Sequence, residues 1–214
     1  MLPPKQSMKP AMMSPLKLNL GCASRPLPGY INIDLDDVAT MMRRYPNIQI
    51  PDLPIYQYDI FKLPYADGTV DEARADAFIE HLSFLEESKF FYEMKRILKP
   101  GGKLCFCVPD FEKAVEQWLK AKDDWKDFYR CDDEAIAQAH WFGNYSYTTE
   151  NRWGYLTASI FGPQNSPGQF HKNAYTARKI RAIMKKLEFK EPSITPSRWK
   201  GDRDHMLDVV AEKA

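Results

Sequence analysis

Arg96-Ile97-Leu98-Lys99-Pro100-Gly101-Gly102-Lys103-Leu104 joins a helix stop to the start of a buried strand in one short stretch. Upstream of it, Phe90, Phe91, Met94, Ile97 and Leu98 recur at helical spacing, and Ser83 followed three residues later by Glu86 has the pattern of a capping box. The spacing predicts a helix of about four turns, ended by Pro100 and two glycines. Downstream, residues 103–108 are short, apolar and bounded by turn formers, which predicts a strand.

Outward from this junction the same alternation repeats. Residues 16–20 and 30–35 read as strands, separated only by residues 21–29, which include Pro26 and Pro28. Parallel strands usually need a crossover of about a dozen residues or more, so this connection must be an abbreviated loop. Residues 37–46 read as a short helix, 55–59 as a third strand and 70–75 as a fourth, entered through Pro64-Tyr65-Ala66-Asp67-Gly68. A helix over 176–187 sets Ile180, Ile183, Met184 and Leu187 on one face. Strands near 190–195 and 205–212 complete the pattern. Strands alternating with helices predict an α/β fold with a doubly wound, mainly parallel sheet.

Two stretches break the rhythm. Residues 1–14 carry Pro3, Pro4 and Pro10 and little apolar surface, so they read as a flexible arm ahead of a single domain over 15–214. Residues 109–169, after the fifth strand, read as an insertion rich in rings, among them Trp118, Trp125, Trp141, Phe142, Tyr145, Tyr147, Trp153, Tyr155 and Phe161. Such rings either form the insertion's own small core or stack on a flat acceptor.

Length and charge narrow the classes. A chain of 214 residues supports one sizeable core. Its formal net charge of +1 gives no global attraction to nucleic acid or to an anionic membrane. No apolar run is long enough for a bilayer, and residues 1–15 lack a signal peptide's apolar centre, so a soluble cytoplasmic protein is expected. Of four cysteines, Cys105 and Cys107 alternate on a strand, while Cys22 and Cys131 have no partner at metal-ligand spacing. Buried thiols and no metal site are the expectation.

The chemistry sits at strand ends. In Leu18-Asn19-Leu20-Gly21-Cys22-Ala23 a glycine follows the first strand, where backbone can approach a ligand closely. Asp34 ends the second strand 13 positions later, and its carboxylate can accept from both hydroxyls of a ribose. A nicotinamide dinucleotide would require Gly-x-Gly-x-x-Gly opening a helix and an acid about 20 residues on. Neither is present. Asp59 follows the third strand, where a carboxylate can accept from an adenine amine.

Over roughly residues 17–104 and again 170–212, the chain resembles class I S-adenosylmethionine (SAM)-dependent methyltransferases. Leu18 to Cys22 looks like motif I, Ile31-Asn32-Ile33-Asp34 like the ribose-binding motif, and Tyr58-Asp59-Ile60 like the adenine-contacting motif. Leu63-Pro64-Tyr65-Ala66-Asp67-Gly68-Thr69-Val70-Asp71 is similar to the family's entry to the fourth strand, and Phe78-Ile79-Glu80-His81-Leu82 to its Val-Leu-Glu-His segment. The resemblance implies a Rossmann-like seven-stranded mixed sheet, six strands parallel and one antiparallel. It implies SAM as cofactor, with contacts from Asn19, Gly21, Cys22 and Ala23 after the first strand, from Asp34 and Leu35, from Asp59 and Ile60, and from Asp76. Ala23 stands where the family has its second motif I glycine. The short 21–29 turn and Phe161-Gly162-Pro163-Gln164 through Phe170-His171-Lys172 look further like a bacterial subgroup associated with surface-polysaccharide gene clusters.

A sulfonium methyl is already activated, so the protein must position the acceptor in line with the sulfur and exclude water. A hydroxyl acceptor also needs its proton removed. The candidates are Asp76 after the fourth strand, Asp110 after the fifth, His81 at the start of the next helix, and His171 before the final helix. His171 is favoured, because histidine ordinarily titrates near pH 6.5, about the working pH. His140 and His205 read as structural. The expected function is methyl transfer to a hydroxyl of a sugar or glycan precursor, with no nucleic-acid partner and no membrane span. Methylation of a small natural product or cofactor precursor, or a SAM-binding partner without activity, are the alternatives.

Overall fold

The computed structural model describes residues 14–44, 47–119, 159–162, 164, 168–197 and 205–214. The arm at 1–13, Cys131, His140 and the ring-bearing stretch from Trp125 to Tyr155 lie outside those residues. Among the described residues the strands are β1 (Lys17–Leu20), β2 (Ile31–Ile33), β3 (Ile55–Tyr56), β4 (Val70–Asp76), β5 (Leu98–Pro109), β6 (Ser193–Ser197) and β7 (Met206–Glu212). The helices are α1 (Val38–Arg44), α2 (Phe84–Ile97), α3 (Phe111–Leu119) and α4 (Ala177–Lys186).

The strands form one sheet in the order β3-β2-β1-β4-β5-β7-β6. Neighbours from β3 through β5 pair in parallel. Strand β7 runs antiparallel to both β5 and β6, so six strands point one way and one is reversed, as expected. The chain winds outward from β1 to β3 and then returns to β4, which makes the β1/β4 boundary the switch point. Ligands of doubly wound sheets bind beside that boundary, at the carboxyl ends of the strands.

The two faces of the sheet differ in chemistry. Leu18, Leu20, Ile33, Ala73, Ala75, Leu104, Phe106, Val108, Leu207 and Val209 alternate onto one face and share a core with Phe90, Phe91, Met94 and Ile97 of α2 and Ile180 and Met184 of α4. Each large side chain buried there contributes about 1.5 to 3 kcal/mol. The other face carries Lys17, Asn19, Glu72, Arg74, Asp76, Cys105 and Cys107. Lys17 pairs with Glu72 at 3.5 Å and Arg74 with Asp76 at 2.8 Å, while the Tyr30 hydroxyl donates to Glu72. Cys22, Cys105 and Cys107 are buried free thiols, and burial pushes the Cys22 thiol up to about 12.

The opening junction differs from its sequence reading at one point. The capping box is present: Ser83 Oγ accepts from Glu86 N at 3.4 Å, and Glu86 Oε2 accepts from Ser83 N at 2.8 Å. The helix, however, stops at Ile97, and Leu98 is already extended and paired with Val70. Lys99, preceding a proline, is driven out of the helical region, so Pro100 ends the helix from a place already inside the strand. Pro100-Gly101-Gly102 instead forms a bulge within β5, after which Lys103 pairs with Glu72. The Lys213 ammonium covers the open end of α2, donating to the carbonyls of Lys95 and Leu98 at 2.5 and 2.7 Å.

Other boundaries shift by a few residues. Strand β3 ends at Tyr56, so Asp59 lies three residues beyond it rather than on its last turn of pleat. Strand β6 begins at Ser193. A helix the sequence reading missed, α3, follows β5 at once, with Asp110 accepting at 3.1 Å from Lys113 N as its cap.

The abbreviated crossover at 21–29 is held by side chains. Asn19 Nδ2 donates to Asn32 Oδ1 at 2.9 Å and to the carbonyl of Arg25 at 3.1 Å. Asn32 Oδ1 also accepts from Leu27 N at 2.7 Å. The two amides are 4% and 1% exposed, so they supply the loop backbone with partners that a crossover helix would have made internally.

Candidate active site

Gly21 leaves β1 with φ +62°, and a Cβ built there would lie 2.1 Å from the ring of Phe78. Glycine is therefore required by conformation and by space. Phe78 itself precedes the 3₁₀ turn Ile79–His81 at the end of β4, so β1 and β4 are locked together at their carboxyl ends. Two residues on, Ala23 also takes a positive φ, +42°. The backbone thus follows a path natural to the glycine that the family has there.

Asp34 joins this loop to β2. Its Oδ2 accepts from Ala23 N at 2.8 Å and its Oδ1 from Asp36 N at 3.0 Å. Burial raises its carboxyl above the usual range, opposed by the N–H groups of Asp36 and Ala23. Each oxygen has a second lone pair for a ribose hydroxyl. Asp59 is exposed, and its Oδ1 accepts from Phe61 N at 2.9 Å, while Ile60 is buried beneath it. Leu35 is exposed and Cys22 buried, its N–H donating to the carbonyl of Ile33 at 3.2 Å. Asn19 belongs to the crossover staple, so its side chain supports the loop. A strand-end glycine and two strand-end carboxylates with free acceptor capacity stand in the order the sequence reading expects for an adenosyl group.

The proton-acceptor candidates separate sharply. The Asp76 carboxylate is tied to the Arg74 guanidinium at 2.8 Å. Asp110 caps α3. His81 closes the 3₁₀ turn two residues before the Ser83 cap instead of opening α2. His171 comes from a segment laid across that turn: Lys172 N and Asn173 N donate to the carbonyl of Glu80 at 2.8 and 3.1 Å. The His81 and His171 rings meet edge to face, centroids 4.8 Å apart. Each Nδ1 lies against a carbonyl, His81 at 3.1 Å from Phe170 O and His171 at 3.0 Å from Ser159 O. Burial, with the charge of Lys172, lowers the His81 pKa below its usual value, and the Phe170 carbonyl opposes this.

Gly162 was not singled out as a site residue by the sequence. Its φ is +82°, and a Cβ would lie 2.0 Å from the carbonyl of Gln169, so 159–162 can approach 169–171 closely enough for His171 N to donate to Phe161 O at 3.0 Å. A glycine inside the Phe161-Gly162-Pro163 turn was the available signal. At the opposite edge of the sheet, a cavity of about 350 Å³ is lined by Arg181, Lys185, Phe189 and Lys190. It lies at the carboxyl end of α4, away from the strand ends that carry Gly21, Asp34 and the histidines. The chemistry of the site residues outweighs its size.

Residues 20–106 match the family model described as a methyltransferase domain. A SAM-dependent methyltransferase structure from Methanosarcina mazei superposes with a TM-score of 0.56 at 14% identity, covering 94% of each chain. A SAM-dependent methyltransferase from Thermotoga maritima superposes at 0.51 and 12% identity, over 93% of this chain and 82% of that one. At such identities the likeness speaks for the fold. An uncharacterized 37.1 kDa protein in a transposon of Streptomyces fradiae is 29% identical over 109 residues, 46% of this chain and 31% of that protein. The chain thus matches under a third of the length of that curated relative. No helix among the described residues is long and apolar enough to cross a membrane. The matched segment supports a methyltransferase that takes S-adenosylmethionine as its cofactor, and the sheet order gives the chain the Rossmann-like α/β fold of the SAM-dependent methyltransferases it superposes on.

Proposed function

We propose that the chain transfers the methyl group of SAM to a hydroxyl of a sugar or glycan precursor, with the His81–His171 pair dealing with the hydroxyl proton. The observation that carries this reading is the meeting of two imidazoles, 4.8 Å apart, beside the 3₁₀ turn that begins at the Gly21 contact. A 3₁₀ turn rises about 2 Å per residue, so His81 lies roughly 6 Å along it from Phe78. SAM supplies a methyl already activated for attack, so the protein's own share is to hold the acceptor in line, keep water out and accept a proton.

A sugar hydroxyl needs such an acceptor, whereas an amine can enter already deprotonated. Of the candidates, Asp76 and Asp110 are committed to Arg74 and to the α3 cap. His171, held in place by Ser159 and Phe161, is the proton acceptor we assign. The ring-rich residues 109–169 and the likeness to a polysaccharide-cluster subgroup support a sugar as the acceptor class. The alternative of an inactive SAM-binding protein rested on Ala23 and the missing crossover helix. Ala23 keeps a glycine-like φ and the Asn19–Asn32 staple replaces the helix, so neither feature argues for lost activity.

The test is transfer of an isotopically labelled methyl to a panel of nucleotide-linked and free sugars, with the product's attachment atom read by NMR. An O-methyl product, made at least about a hundredfold more slowly by His171→Asn with unchanged SAM affinity, is the expected result. Label appearing only on nitrogen or carbon acceptors would overturn the reading.

A further inference from the structure

We propose that Glu80, His81 and His171 form a divalent-metal site of the two-histidine, one-carboxylate type at the acceptor edge of the sheet. One ligand atom from each residue lies within 4.8 Å of those of the other two. Ligands bound tetrahedrally to zinc at about 2.0 to 2.2 Å stand about 3.3 Å apart.

The backbone at this point is already fixed. The Glu80 carbonyl accepts from Lys172 N and Asn173 N, the Tyr175 hydroxyl donates to Ile79 O at 3.4 Å, and His171 N donates to Phe161 O. The turn carrying two ligands and the segment carrying the third are therefore one unit. Both imidazoles are also oriented. With each Nδ1–H given to a carbonyl, the lone pair falls on Nε2, the arrangement found around metal-bound histidines, whose outer nitrogen is held by a carbonyl or carboxylate. Glu80 is only 2% exposed, and a dication beside it would lower the cost of keeping its charge out of water.

Two imidazoles and one carboxylate leave a coordination position open, as catalytic zinc sites do. The consequence for catalysis rests on the sugar-hydroxyl reading above. A hydroxyl bound at the open position would be polarised and acidified by the cation. The oxygen–carbon bond then forms as the carbon–sulfur bond breaks, with that electron pair staying on sulfur and the hydroxyl proton leaving to water. His171 would act as a ligand in that step, and the cation would take over the task of activating the oxygen.

Tag-free full-length chain, stripped with a chelator, is titrated with Co²⁺ followed by visible absorption and with Zn²⁺ by calorimetry. The expected result is one ion per chain, a cobalt spectrum of low coordination number that zinc abolishes, and affinity at least tenfold weaker in His171→Ala and in Glu80→Gln. Absence of stoichiometric uptake by the wild type would overturn the proposal, as would undiminished uptake by His171→Ala. Should Glu80→Gln fail to fold, the wild-type titration and His171→Ala still decide. Failure here leaves the sugar reading standing with His171 as base. Uptake of cobalt by a chain that methylates no hydroxyl would overturn the sugar reading and leave the metal site.

Discussion

Asp34 holds the site together at the scale of a single side chain. One oxygen fixes the Ala23 N–H after β1 and the other the Asp36 N–H after β2, so the carboxylate proposed to receive the ribose also sets the loop beside it. Asp34→Ala removes those bonds and the ribose acceptors, costing on the order of 1 to 3 kcal/mol of SAM affinity, roughly five- to more than a hundredfold by calorimetry. Unchanged affinity would remove Asp34 from the cofactor site. Ala23 makes a second case, because its φ of +42° is strained for any residue with a Cβ. Ala23→Gly should raise stability by up to about 1 kcal/mol, read as an upward shift in the urea midpoint. A lower midpoint would show that the loop is unstrained. His81 provides a third. Its folded pKa lies below the ordinary histidine value of about 6.5, so the unfolded chain binds more protons between the two. Its contribution to stability is therefore complete above about pH 6.5 and lost as pH falls through the depressed value. His81→Asn should flatten the fall in urea midpoint over that window, and an unaltered slope would contradict the assignment.

At the level of elements, the Asn19–Asn32 pair explains how a parallel connection survives without a crossover helix. Asn32→Ala leaves the Leu27 N–H and the Asn19 amide without their acceptor in a buried place, which costs about 1 to 3 kcal/mol. Because the same loop carries Ala23, SAM affinity should fall with it; denaturation and calorimetry on one variant measure both. The elements readable in the sequence were those with local chemistry at their ends. The α2 capping box, the Gly21 turn and the strand-end acids each announce themselves within a few residues. What escaped was decided by neighbours distant in the chain. The early end of α2 follows from Leu98 pairing with Val70, and the staple depends on two asparagines 13 positions apart. The sequence presents His81 and His171 separately, because they are 90 positions apart and only the docking of 170–175 onto the 3₁₀ turn joins them.

On the scale of the whole molecule, one sheet edge collects everything the chemistry needs. Gly21, Asp34 and Asp59 follow three successive parallel strands, β4 delivers Phe78 against Gly21, and the histidine pair lies one short turn further on. The central claim is this arrangement: cofactor over β1 to β3, reactive methyl facing the histidines. A crystal structure with S-adenosylhomocysteine measures it directly. The account predicts both ribose hydroxyls on Asp34, the adenine amine beside Asp59, and the sulfur directed toward His81 and His171 across an open acceptor space. A ligand whose ribose lies away from Asp34, or whose sulfur faces away from the two histidines, would contradict it.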